Sequence, residues 1–166
     1  MIDIREATSA DVPALAALRW EFRAGRATPS EERSAFLERC AAWMRAALAR
    51  DWRAWVAVDG DPGMGAPGES EVIVGHVWLC AIGKIPNPAG QRERQAYISN
   101  MYVRPAARGG IGTRLLNHAI EWAEANDVEY ALLTATPRSR TLYGRHGFAV
   151  NDDWLIRPTR GKTVQR

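Results

Sequence analysis

The chain has 166 residues, of which 46% are hydrophobic and 25% charged, with a formal charge of +3. That length suits one domain with a single core, and that composition is ordinary for a soluble globular protein. No run approaches the roughly 18 to 20 apolar residues that a membrane span needs. The basic residues gather at Arg92/Arg94, at Arg104/Arg108 and from Arg157 to Arg166, without the dense stripe and interleaved aromatics of a nucleic-acid binder.

The start, Met1-Ile2-Asp3-Ile4-Arg5, has neither a basic leader nor an apolar core, so the expected location is the cytoplasm. Cys40 and Cys80 each stand alone in apolar surroundings and are expected as small buried hydrophobes in a reducing compartment. The expected organisation is one domain over residues 1–158 and a basic tail over 159–166.

Ile2 and Ile4 alternate with polar neighbours, which predicts a short strand. Thr8 followed three residues later by Asp11 predicts a capped helix start, with Val12, Leu15, Ala16, Leu18, Trp20 and Phe22 continuing a mostly buried helix to Gly25 and Pro29. A second helix is expected with Ser30 as cap and Glu31-Glu32 in its first turn. Phe36, Leu37, Cys40, Trp43, Met44, Ala47 and Leu48 then form one face at three- and four-residue spacing, with Trp43 and Met44 read as core. Trp55–Val58 reads as a strand, and the next loop, Asp59 to Ser70, carries four glycines and two prolines. Val72–Ile82 is a long apolar strand with a bend expected near Gly75. After a second loop with Pro86 and Pro88, Gln95–Val103 returns as a strand. The Gly109-Gly110-Ile111-Gly112 turn leads into a helix from about Thr113 to Ala125. Tyr130–Ala135 reads as a strand, Ser139–Arg145 as a short helix, and Val150 with Trp154–Ile156 as terminal strand material. This order predicts an α/β (α+β) chain with a mixed, mostly antiparallel sheet and helices on both faces.

The most informative segment runs from Met101 to Thr113. A strand ends, Pro105 closes it, and glycines form a tight turn that opens a helix. Such a turn presents free backbone N–H groups at the positive end of a helix dipole, and glycines let an anion approach closely. Thr113 adds a hydroxyl and Arg108 a charge. A nucleotide P-loop would need Gly-Lys followed by Ser or Thr, and a dinucleotide fingerprint would need G-x-G-x-x-G, neither of which is present. A tight connection with no ligand remains the plain alternative.

This segment resembles the acetyl-CoA pyrophosphate loop of the GNAT superfamily, Arg/Gln-x-x-Gly-x-Gly/Ala, with Gly110-Ile111-Gly112 as the Gly-x-Gly. Counted back from Gly110, Ala107 takes the arginine's place, whereas counted forward from Pro105, Arg108 does; the turn is one residue shorter than the pattern. Downstream, Leu142-Tyr143-Gly144-Arg145-His146-Gly147-Phe148 is similar to the family's L-Y-x-x-x-G-F signature. The resemblance covers residues 95–148 through these motifs and the first half through its β-α-α-β order.

The resemblance implies a GNAT-like fold and an acyltransferase that moves an acetyl group from acetyl-CoA to the amine of a small molecule or peptide. It implies that Met101 and Val103 use backbone groups along the pantetheine arm, with Met101 N–H donating to the thioester oxygen. Arg108, Gly109, Gly110, Ile111, Gly112 and Thr113 would hold the pyrophosphate. Thr136, where relatives carry an asparagine, and Ser139 would reach the cofactor. Tyr143 would be the general acid for the departing thiolate. A homodimer is compatible with the family; no nucleic acid or membrane is expected as partner.

No general base stands out. Glu21, Glu31 and Glu32 read as solvent-facing or capping carboxylates, Ser99 and Asn100 could position a water, and His76 qualifies only if it faces the cleft. His118 and His146 read as structural, and no histidine, cysteine and carboxylate cluster has metal-ligand spacing. The acceptor pocket is not located: among the seven tryptophans, Trp20, Trp52, Trp78 and Trp154 could line it or fill the core. The competing reading is a non-catalytic acyl-CoA-binding or sensing module on the same fold.

Overall fold

Five segments rich in alternating apolar residues assemble into one sheet in the computed structural model, which describes residues 1–60, 72–107 and 109–155. The strands are β1 (Ile2–Glu6), β2 (Trp52–Asp59), β3 (Val72–Gly83), β4 (Arg94–Val103) and β5 (Val128–Leu133), and they lie side by side in chain order. The first three pairings are antiparallel, while β4 and β5 run parallel. A parallel pair needs a crossover, and α3 (Ile111–Ala125) supplies it.

Two further helices, α1 (Val12–Ala24) and α2 (Arg33–Leu48), precede β2, and a short α4 (Arg140–Arg145) follows β5. Val12, Leu15 and Leu18 of α1 and Cys40, Met44 and Ala47 of α2 form a buried cluster with Ala54, Val56, Val58, Ile73 and Trp78 of the sheet. On the opposite face, Trp55 meets Trp122 of α3 at 6.4 Å between ring centres. Leu115, Leu116, Ala119 and Ala123 form the buried stripe of α3. Each such leucine contributes about 2 kcal/mol by leaving water. The fold is therefore the mixed, mostly antiparallel α/β arrangement expected, with helices on both faces.

The chain divides into two compact units, Met1–Thr134 and Ala135–Arg166. The first contains the sheet and α1 to α3. The second holds α4, and among its described residues no strand follows that helix. The terminal strand expected at Val150 and Trp154 does not form: Val150 is 87% exposed, so no sheet face receives it. Ile156, the basic tail, most of the loop after β2 (residues 61–71) and Arg108 lie outside the described residues.

The start at Thr8 is capped as expected, whereas the start of the second helix differs. Thr8 opens one turn of 3-10 helix at Ser9–Asp11 ahead of α1, and its N–H donates to Asp11 Oδ2 at 2.7 Å. Arg5 grips the same carboxylate with two bonds of 2.9 Å. Burial alone would raise the Asp11 carboxyl, but Arg5 and the Thr8 N–H outweigh it and hold it below the usual value. Neither Ser30 nor the glutamates load the first turn of α2. The helix begins at Arg33 with Glu32 in the capping position, and Glu31 reaches forward to pair with Arg39 instead.

Candidate functional site

The site begins with a mismatch between β3 and β4. His76 pairs with Tyr102 and Trp78 with Ser99, so three steps along β4 match two along β3. The extra residue makes a bulge, and Asn100 adopts the left-handed conformation, φ 52°, that asparagine tolerates better than most side chains. Asn100 and Met101 have no register partner on β3. On the other side, pairing with β5 stops at Ile98, opposite Leu133. Met101 therefore has no register partner on either neighbouring strand. Arg19 of α1 donates to Asn100 Oδ1 at 2.8 Å, tying the helix to the bulge.

β4 leads through a 3-10 turn at Pro105–Ala107 into Gly109 and Gly110, whose φ values of 118° and 87° require glycine. Gly110 caps α3, and the first helical bond runs from Arg114 N–H to the Gly110 carbonyl at 3.0 Å. The N–H groups of Ile111, Gly112 and Thr113 lie ahead of that bond and have no helical acceptor. A β-carbon at Gly109 or Gly110 would meet nothing within 4 Å, so space lies open over the turn. No acidic residue sits in the first turn of α3 to neutralise its positive end. Buried Ile111 and Leu115 anchor the helix below. The donor set and the space fit a pyrophosphate. Arg108, expected beside it, lies outside the described residues.

Gly75 on β3 sets how closely β4 and α3 approach. A β-carbon there would lie 3.0 Å from Val103 Cγ2, 3.1 Å from the Tyr102 carbonyl oxygen and 3.3 Å from Leu115 Cδ1. The bend expected at Gly75 appears as a register shift against β2, between Ala57 and Val58.

In the second unit, Thr136 and Ser139 are bound to each other. Thr136 N–H donates to Ser139 Oγ at 2.9 Å, and Ser139 Oγ donates to the Thr136 carbonyl at 3.0 Å, closing the turn that starts α4. Tyr143 is 8% exposed and packs edge-on against Phe148 at 5.8 Å. Burial raises its phenol above the ordinary value, with the Ser139 hydroxyl acting in the opposite direction. His146 Nδ1 lies 2.8 Å from the Leu142 carbonyl and serves this helix end.

Two of the three carboxylates weighed as bases have other partners, and Glu32 stands at the start of α2. Glu21 holds Arg104 in a bidentate pair at 2.7 and 3.0 Å, and Glu31 holds Arg39. His76 faces neither cleft nor partner. It is 0% exposed, neither ring nitrogen has a hydrogen bond, and burial followed by repulsion from Arg19 pushes its pKa down to about 3. Among the described residues, no group of three or more His, Cys, Asp or Glu is placed to hold a metal ion.

A pocket of about 420 Å³ opens on the α1/α2 face beside the bulge, reaching Ser99 and Asn100. Trp43, Trp52 and Trp78 line it with ring centres 5.4 to 6.3 Å apart. Trp43 is 52% exposed, so its expected place in the core is wrong: it stands on the pocket lining instead. Trp20 lines a smaller cavity of about 180 Å³ beside the α1–α2 loop, and Trp154 is exposed. Sequence reasoning missed Arg19; its one signal is a charge between Leu18 and Trp20 on a mostly apolar helix.

Known proteins bear on this geometry. The family model of the Acetyltransferase (GNAT) family matches residues 17–148. A predicted acetyltransferase from Clostridium acetobutylicum, solved with acetyl-CoA, superposes with a TM-score of 0.74 at 22% identity, covering 95% of this chain and 96% of that one. A GCN5-related N-acetyltransferase from Ralstonia eutropha JMP134 gives 0.74 at 22% identity over 97% and 100%. A ribosomal-protein-alanine N-acetyltransferase from Brucella melitensis gives 0.63 at 21% over 98% and 100%. No curated protein matches the chain. The solved structures establish the shared fold, and the family model spans most of the sequence; the chain belongs to the GNAT acetyltransferase family.

Proposed function

We propose that this chain transfers an acetyl group from acetyl-CoA to the amine of a small molecule or peptide. The observation that carries the reading is the bulge at Asn100–Met101, next along the chain to a glycine turn with three free N–H groups. The first offers a donor for an oxygen and the second a cradle for two phosphates.

In this reading the N–H groups of Ile111, Gly112 and Thr113 hold the pyrophosphate, with Gly109, Gly110 and Arg108 around them, and Val103 follows the pantetheine arm. Met101 N–H donates to the thioester oxygen and strengthens that bond as charge builds there. A donor so aimed contributes on the order of 3 kcal/mol. The amine lone pair forms the new C–N bond, the C–S bond breaks, and Tyr143 gives its phenolic proton to the sulfur. The raised phenol keeps that proton at neutral pH. The proton leaving the nitrogen passes to water held near Ser99 and Asn100, since Glu21 is committed to Arg104. Thr136 and Ser139 act on the cofactor side by shaping the turn before α4.

The test is calorimetry with acetyl-CoA, followed by thiol release over a panel of amines. Binding together with amine-dependent thiol release is expected. No uptake of acetyl-CoA or CoA at millimolar concentration would refute the reading. Binding without release on any amine would favour a sensing module.

A further inference from the structure

Resting on that reading, we propose that the tryptophan-walled pocket takes its acceptor as a carboxylate-bearing primary amine with an aromatic or bulky apolar side chain, the carboxylate meeting Arg19. The pocket's volume, about 420 Å³, lies in the small-ligand range. Its edge at Ser99 and Asn100 adjoins Met101, so an amine lying there faces the atoms that bind the thioester.

Charge selects among amines. The described lining holds two arginines and no carboxylate. Arg39 is neutralised by Glu31. Arg19 is half-buried, and its partners among the described residues are the neutral Asn100 amide oxygen and the ring of Phe22, with no carboxylate. A half-buried guanidinium with no counter-charge is costly, and a bidentate carboxylate is the ligand its planar fork fits best. A guanidinium on a lining without carboxylates calls for an anionic acceptor and opposes polyamines, although indole walls alone would attract a cation.

The same charge serves the chemistry. An attacking amine must be neutral, and a guanidinium nearby lowers the pKa of an ammonium by repulsion. A base-poor site thus gains free amine without a carboxylate to take the proton. The indoles supply flat apolar area for the side chain, with Trp43 half-exposed at the rim.

The test measures acetyl-CoA-dependent thiol release with phenylalanine, phenylalanine amide, phenethylamine and spermidine. Phenylalanine should exceed the amide and phenethylamine by about 10- to 100-fold in kcat/KM, the scale of one charged hydrogen-bonded pair, and spermidine should be the poorest. Arg19→Gln should abolish the preference through KM while acetyl-CoA affinity, read by calorimetry, stays constant; Arg19→Lys should restore part of it. Equal rates on acid and amide, a preference for spermidine, or acetyl-CoA binding with no acceptor turned over would each overturn the proposal. Failure to bind acetyl-CoA at all would instead refute the underlying function. Should Arg19→Gln not fold, the wild-type panel decides alone.

Discussion

His76 makes stability depend on pH in a way that one substitution can isolate. Its imidazole is fully buried, without a partner for either nitrogen, and its pKa falls to about 3. In the unfolded chain it returns to the ordinary 6.5. Between those values the unfolded state binds the extra proton, so stability is complete above pH 6.5 and falls as pH drops below it. From pH 7.5 to 4.5 this one group should cost about 2.6 kcal/mol at 1.36 kcal/mol per unit, a large share of a typical domain's stability. His76→Leu removes the titration and two orphaned nitrogens, and should be as stable at pH 7.5 or up to about 2 kcal/mol more so. Urea unfolding of both proteins at pH 7.5, 6.5, 5.5 and 4.5 reads the difference directly. If both lose stability in step, or if the native imidazole titrates near 6.5 by NMR, the burial argument is wrong.

Three other outcomes follow from the geometry. Tyr143→Phe should lower turnover about 10- to 1000-fold with little change in acetyl-CoA affinity, if the phenol is the acid; unchanged thiol release would remove that role. Gly112→Asp should weaken acetyl-CoA binding, because a carboxylate would face the pyrophosphate beside the positive helix end; steady affinity in calorimetry would remove the cradle. Asp11, 7% exposed, has a lowered pKa, so its contribution is present above its unfolded value of 3.8 and is lost as pH falls through the folded value. Asp11→Asn should therefore cost about 1 to 3 kcal/mol at neutral pH, read by urea unfolding, and nothing extra in strong acid.

Much of this protein is legible from local spacing. The glycine turn before α3, the apolar periods of α1 and α3, and the strand alternation each depend on residues a few positions apart. Backbone sterics and amphipathicity act over that range. The motif pairing of Gly110-Ile111-Gly112 with Leu142-Tyr143 likewise needs no tertiary knowledge. The bulge at Asn100 is different: it exists only as a count against β3, so no inspection of β4 alone reveals that Met101 lacks a register partner there. Glu21 looks like a free acid until the fold brings Arg104, 83 positions away, to it. Alternation tells which face His76 joins, but the lack of a hydrogen bond to either ring nitrogen depends on what packs around it. Trp43 belongs to the helical stripe, yet only the packing of α2 against the other elements decides that it ends on a pocket lining with Arg19. The chain's own order determined most of the elements and the glycine turn, because those are set by neighbours in sequence. Registry, ion pairing and burial depth were decided by tertiary structure, because each is a relation between segments far apart along the chain.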